Sequence, residues 1–186
     1  MQLDRPEFVA PAGVEIRRGR SDDALCISVL AMQVFLDTYA TSGLRGDLAR
    51  EALSVYSPDA FATRLAQPVT YFLLAEKSGY LLGFAEVAFE RPPPSPTVTG
   101  GAELIRLYVQ RPFKRMRVGG ALLKQSEILA VTQSAPCLWL TAWSGNAAAL
   151  SFYAASGFSD VGATTYVIEG NAYENRIFVK TLATTP

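Results

Sequence analysis

The sequence predicts an α/β or α+β fold built on a mixed sheet. Seven short stretches read as strands, through apolar alternation or runs of apolar and aromatic residues. Helical spacing separates several of them. Strands lead in the middle of the chain and strand–helix crossovers follow, in the order β-α-α-β-β-β-α-β-α-β-β. The chain has 186 residues, of which 49% are hydrophobic and 18% charged. That size and composition suit one folded domain with a real core rather than a disordered segment.

Val14–Arg18 alternates apolar and charged residues, as an edge strand does. Ser21, Asp22 and Asp23 supply a cap and an acidic first turn. Ile27, Leu30, Ala31, Val34 and Phe35 then follow at helical spacing, toward Ala40 and a stop near Gly43. Ser57-Pro58-Asp59 opens a second short helix with Phe61 and Leu65 one turn apart. Tyr71–Glu76 and Leu81–Glu90 form a hairpin about Lys77–Tyr80. Arg91 to Gly101 carries four prolines and is a loop. Leu104–Val109 is a strand. A polar, basic stretch from Gln110 to Arg117 precedes a helix marked by Val118, Ala121, Leu122, Ile128 and Leu129. Cys137–Ala142 is a short apolar strand. Ala147–Ala155 is a helix closed by Gly157, and strands over Ser159–Val167 and Asn175–Leu182 complete the order. Residues 1–13 read as an N-terminal extension and 14–182 as a single domain.

Composition excludes several chemistries. The chain has no histidine, so Ser-His and Cys-His nucleophile pairs and His-ligated metal sites are ruled out. Nothing implies a metal. With 17 basic and 17 acidic side chains there is no general basic face for nucleic acid or a membrane surface. The N-terminus lacks the apolar core of a signal peptide, and no stretch approaches a membrane span. A soluble, cytoplasmic protein is expected. Cys26 and Cys137 form no CxxC, and their apolar neighbours predict inert, buried thiols.

Two segments carry chemistry. From Leu107 to Leu123 the chain runs strand, basic loop, helix. Free N–H groups and the positive end of the dipole mark the helix start. Gly119 and Gly120 leave those amides open, and Arg111, Lys114, Arg115 and Arg117 add charge. A diphosphate suits such a place, although a solvated basic turn reads equally well from this segment alone. It is neither GxxxxGK[ST] nor GxGxxG. In the second segment, Asn146 begins a helix and Tyr153 lies seven residues on, on the same face. Their bland alternative is an N-cap and a core aromatic.

Together the two segments resemble the GNAT (Gcn5-related N-acetyltransferase) superfamily. Asn146, Ala149, Phe152, Tyr153, Gly157 and Phe158 match the pattern N-x-x-A-x-x-[FL]-Y-x-x-x-G-F throughout. Lys114 to Gly119 aligns with the pyrophosphate loop [QR]-x-x-G-x-[GA], with Lys114 for Gln or Arg and Arg117 for the first Gly. The resemblance spans about residues 14–182. Within the superfamily the chain is most similar to PaiA-type polyamine acetyltransferases, through Phe35–Tyr39, Leu107–Val109, Leu138–Leu140, Asn146, Phe152, Tyr153 and the tail Asn175–Leu182.

The resemblance implies the GNAT fold, a mixed, mostly antiparallel central sheet of about seven strands flanked by helices. It also implies acetyl-CoA (coenzyme A) as cofactor and a small-molecule amine as acceptor, attacked without a protein nucleophile. The backbone of Leu107, Tyr108 and Val109 would pair with the pantetheine arm. Lys114, Arg115, Met116, Arg117, Val118, Gly119 and Gly120 would form the diphosphate loop, and Asn146 would hold the pantetheine side. Tyr153 would give a proton or a hydrogen bond to the leaving thiolate. Glu103 is the first choice for a base acting through water and Glu86 the second; with Glu90 they could also form an acidic acceptor pocket. At Arg117 either φ is positive and cofactor binding is weak, or the backbone is ordinary and the guanidinium adds a phosphate contact. The neighbouring cations favour the latter. Acetylation of a protein or peptide amine, and a CoA-binding regulatory domain without turnover, are the competing readings. A homodimer through exposed strand edges is compatible with either.

Overall fold

The computed structural model describes residues 11–95 and 98–183. The expected N-terminal extension lies largely outside them. One seven-stranded sheet organises the chain, in the order β1-β2-β3-β4-β5-β7-β6. Its strands are β1 (Glu15–Arg18), β2 (Thr70–Lys77), β3 (Tyr80–Ala88), β4 (Ala102–Val109), β5 (Cys137–Trp143), β6 (Ser159–Ile168) and β7 (Asn171–Thr181). Every neighbouring pair is antiparallel except β4 and β5. The helices are α1 (Ala24–Tyr39), α2 (Gly46–Val55), α3 (Pro58–Leu65), α4 (Val118–Thr132) and α5 (Ala147–Ala155). The sheet and its order agree with the fold class expected from the sequence. Among the described residues no helix is long and apolar enough to cross a membrane.

The sheet alternates its side chains between two cores. On one face α1 and α3 bury Ile27, Phe35 and Phe61 against Phe72, Leu74 and Phe84. The Phe61 ring meets Phe72 and Phe84 edge-on, at 5.9 and 6.0 Å between centroids. On the other face α4 and α5 bury Leu122 and Tyr153 against Val87, Leu104, Leu138, Leu140 and Phe178. Each fully buried side chain of this size contributes about 2–3 kcal/mol of transfer free energy.

Three sequence expectations need correcting. Helix α2 was not expected. Leu48 and Ala52 are buried one turn apart, but Arg45 at the N-cap offers no capping bond and the outer face is polar. The last strand begins at Asn171 rather than Asn175, because Glu169 (φ 44°) and Gly170 (φ 83°) form the tight reversal after β6. Two consecutive positive φ values are what a two-residue hairpin turn requires. Cys26 is exposed on the outer side of α1, whereas Cys137 is buried as expected; both are free thiols.

Two irregularities shape the centre of the sheet. First, β4 and β5 pair only through Ala102–Leu138 and Glu103–Trp139. Beyond these, β4 stays with β3 while β5 stays with β7, so the sheet splits. Second, β4 carries a bulge. Arg106 faces Glu86 and Leu104 faces Val87, which leaves Ile105 without a partner in β3. The extra residue puts Glu103 and Arg106 on the α1–α3 face and Leu104 and Leu107 on the α4 face. Only glycine fits at position 83: an added Cβ would stand 2.5 Å from the Tyr108 carbonyl oxygen across the β3–β4 ladder.

Candidate active site

The split between β4 and β5 lies beside Val109, Val118 and Tyr153, which share one buried cluster. Leu107, Tyr108 and Val109 pair with Ala85, Phe84 and Gly83 on one side. Their other edge has no ladder with a described residue, because β5 has diverged. Unpaired backbone donors and acceptors there can receive an extended ligand as another strand would be received.

At the end of that edge a short 3₁₀ turn, Arg111–Phe113, leads to the loop before α4. Lys114 is extended, Arg115 has φ 63°, and Arg117 caps α4 with φ 62° and ψ 4°. Arg117 is therefore left-handed, not ordinary backbone. This overturns the favoured sequence reading. The chain must reverse into α4 within four residues, and a left-handed residue followed by a helical one turns successive N–H groups into one concavity. The loop keeps its shape without glycine, so the cost falls on stability. Arg117→Gly is expected to stabilise the fold by about 1 kcal/mol, or about 2–4 °C in Tm, less the extra freedom glycine gives the unfolded chain. Thermal denaturation checks this, and an unchanged or lower Tm would refute it. Arg111, Lys114, Arg115, Met116 and Arg117 are all exposed. None of the four cations has an ion-pair partner among the described residues. Val118 is buried, and Gly119 and Gly120 are half-buried at the helix start. A Cβ at Gly119 would meet only ordinary contacts, so the protein's own packing does not demand glycine there.

Across the split, Asn146 caps α5. Its Oδ1 accepts from the Ala149 amide at 3.1 Å, which leaves the side-chain nitrogen for other partners. Tyr153 is buried on the α5 side, its ring packed on Phe152, Phe158 and Phe178. Its hydroxyl makes no hydrogen bond to a described residue, and burial pushes its pKa well up.

The two candidate bases differ. Glu86 is fully buried, in an ion pair with Arg106 and 3.6 Å from Arg64 Nε. Two guanidinium groups face it, which suits a structural carboxylate better than a base. Glu103 lies at the apex of the split, beside Trp139. Desolvation pushes its pKa up, partly offset by Arg91. Arg91 Nε stands 2.6 Å from Glu103 Oε2, but off the hydrogen-bond axis, so the contact is coulombic. Glu90 has left the strand and takes φ 62°. It is not part of this cluster.

Sequence reasoning missed the rest of the α1–α3 side. Tyr56 and Tyr108 stack at 6.5 Å with their hydroxyls 3.3 Å apart. Tyr39 stacks on Trp143 at 5.2 Å, and Tyr173 stands edge-on to both. Above them, α2 is tied to the β6–β7 hairpin. Arg45 donates to Tyr173, Asn171 to Asp47, Tyr166 to Glu51, and Arg50 binds Glu169 through two 2.6 Å bonds. The signal for these residues lay in contacts between elements far apart in the chain, which no local spacing reports.

The sheet thus splits beside the start of α4, with a basic loop at the mouth. Residues 39–158 match the acetyltransferase (GNAT) family; the chain belongs to that family and is an N-acetyltransferase. It is 22% identical over 170 residues to an uncharacterized N-acetyltransferase of the pepI 3′ region of Lactobacillus delbrueckii subsp. lactis, covering 91% of this chain and 98% of that protein. Among solved structures, the PaiA N-acetyltransferase of Thermoplasma acidophilum, in complex with coenzyme A, superposes with a TM-score of 0.73 at 22% identity, over 90% of this chain and 98% of that one. The ribosomal-protein-S18-alanine N-acetyltransferase of Escherichia coli superposes with a TM-score of 0.65 at 16% identity, over 93% and 96%. At these identities the structural likeness speaks for the fold.

Proposed function

We propose that residues 14–182 act as one domain that transfers the acetyl group of acetyl-CoA to the primary amine of a small molecule, with polyamines such as spermidine as the acceptor class. One observation carries the preference for a small acceptor. Helix α2 reaches across the α1–α3 face and ties to the β6–β7 hairpin through four side-chain links. The acceptor side of the split is thus roofed, and a folded protein substrate would have to break those links. Individually they are weak, since exposed pairs such as Arg50–Glu169 contribute about 0–1 kcal/mol. Their effect is to narrow the entrance.

The chain's residues fit the cofactor. Acetyl-CoA supplies a thioester carbonyl open to attack by an amine. The free edge of Leu107, Tyr108 and Val109 would pair with its pantetheine arm. The loop from Lys114 to Gly120, through Arg115, Met116, Arg117, Val118 and Gly119, would hold the diphosphate with backbone N–H groups and its exposed cations. Asn146 would offer its free side-chain nitrogen. Tyr153 keeps its Oη proton, because burial disfavours the phenolate, and would present it to the leaving sulfur. Glu103, whose pKa desolvation raises, would take the proton that an ammonium acceptor must lose. Calorimetric titration with acetyl-CoA, followed by thiol release against a panel of amines, tests the reading. Micromolar binding with turnover on spermidine is expected. A peptide N-terminus acetylated faster than every small amine would refute it.

A further inference from the structure

Among the described residues, six side-chain polar atoms are buried without a hydrogen-bond partner: Arg64 Nε, Glu86 Oε1, Glu103 Oε2, Arg106 Nε, Trp139 Nε1 and Asn175 Oδ1. All belong to the α1–α3 side of the sheet. The first four have a charged neighbour that accounts for them. Trp139 has Glu103 opposite it across the β4–β5 seam; Asn175 has no such neighbour among the described residues. Asn175 lies opposite Trp143 in the β5–β7 ladder, so the two side chains share a face. It is 7% exposed. On that face the half-buried ring of Trp143 opposite Asn175 clusters with those of Tyr39 and Tyr173, the three at 5.2, 5.5 and 6.1 Å from one another. The rim above carries the carboxylates of Asp47, Glu51 and Glu169 against the guanidinium groups of Arg45 and Arg50.

We propose that Asn175, with the ring faces of Tyr39, Trp143 and Tyr173, forms a subsite for the second, non-reacting ammonium group of a diamine or polyamine acceptor. The inference rests on the small-amine reading above and adds residues to it. A buried carbonyl oxygen without a donor is costly, and an ammonium group is all donor. Aromatic faces attract a cation and repel an anion. A neutral alkyl tail would leave Oδ1 unmet. The last torsion of an asparagine side chain is soft, so the carboxamide can turn its oxygen toward an incoming cation. Spacing agrees. Glu103 sits beside Trp139, and Trp143 is four residues farther along β5, which at the usual strand rise is about 13 Å. An extended chain with an amine at each end spans that distance.

Steady-state acetylation of spermidine and of an alkyl monoamine of matched length tests the subsite. In the wild type, kcat/KM for spermidine is expected to exceed that for the monoamine at least tenfold. Asn175→Leu, close in shape, is expected to cut that ratio about tenfold, and Asn175→Asp to keep or raise it. Equal kcat/KM for the two amines in the wild type, an unchanged ratio in Asn175→Leu, or a fallen one in Asn175→Asp overturns the subsite, while turnover of either amine leaves the acetyltransferase reading standing. If neither amine is acetylated, calorimetric titration of spermidine into the CoA-saturated protein reads the subsite alone. Binding that Asn175→Leu abolishes upholds it although the small-amine reading falls; absence of binding overturns it.

Discussion

Tyr153→Phe is expected to lower kcat about 100-fold while changing KM for the amine little. The magnitude is that of a positioned proton donor lost from the transition state. Phenylalanine keeps the packing against Phe152, Phe158 and Phe178, and the lost hydroxyl has no hydrogen-bond partner among the described residues. Stability should therefore stay within about 0.5 kcal/mol of the wild type. The pair of readouts separates chemistry from packing. A kcat within twofold of the wild type would remove Tyr153 from the reaction. Its pKa direction adds a sign. Burial raises the phenol above its ordinary value, so the proton stays on Oη through neutral and mildly alkaline pH. Wild-type kcat should show no alkaline decline from this group below about pH 10.

The second large effect is on folding. Glu86→Gln is expected to destabilise the protein by about 3–5 kcal/mol, a fall of about 10 °C in Tm, because it leaves the largely enclosed Arg106 guanidinium without its counter-charge at a fully buried site. Arg64, lying over the Phe61 ring, loses the same partner. The double variant Glu86→Leu, Arg106→Met is expected to recover most of the loss, since an apolar pair of similar volume avoids desolvating either charge. Urea denaturation of the three proteins decides the matter. A single variant as stable as the wild type would mean that water already reaches the pair.

Much of the fold was legible because its signals are local. The Ser78-Gly79 turn, the Pro-rich loop after β3 and the spacing of α1 each report on a few adjacent residues, and the structure places elements where those signals fall. Helix α2 was not legible: it lacks a capping side chain and buries only a narrow stripe, so its order comes from packing on α1 and from the hairpin. The start of β7 failed similarly, as Asn171 to Asn175 has weak strand propensity and is held by pairing with β6. Of the candidate site, the loop before α4 and the Asn146–Tyr153 helix were readable as motifs. The ion pairing of Glu86 was not, because it depends on a bulge that turns Arg106 toward it from another strand. Arg117 misled for a related reason. Its conformation is dictated by the reversal into α4, and side-chain identity only sets what that conformation costs.

The two-pair ladder between β4 and β5 also has a mechanical meaning. Among the described residues it is the only hydrogen-bonded seam joining the β1–β4 meander to the β5–β7–β6 unit within the sheet. A ligand stretched along the open edge of β4 and held by α5 would act as a stitch across that seam. Amide hydrogen exchange along Leu107 to Val109 should then slow when the cofactor is added, and the two halves should come to melt together.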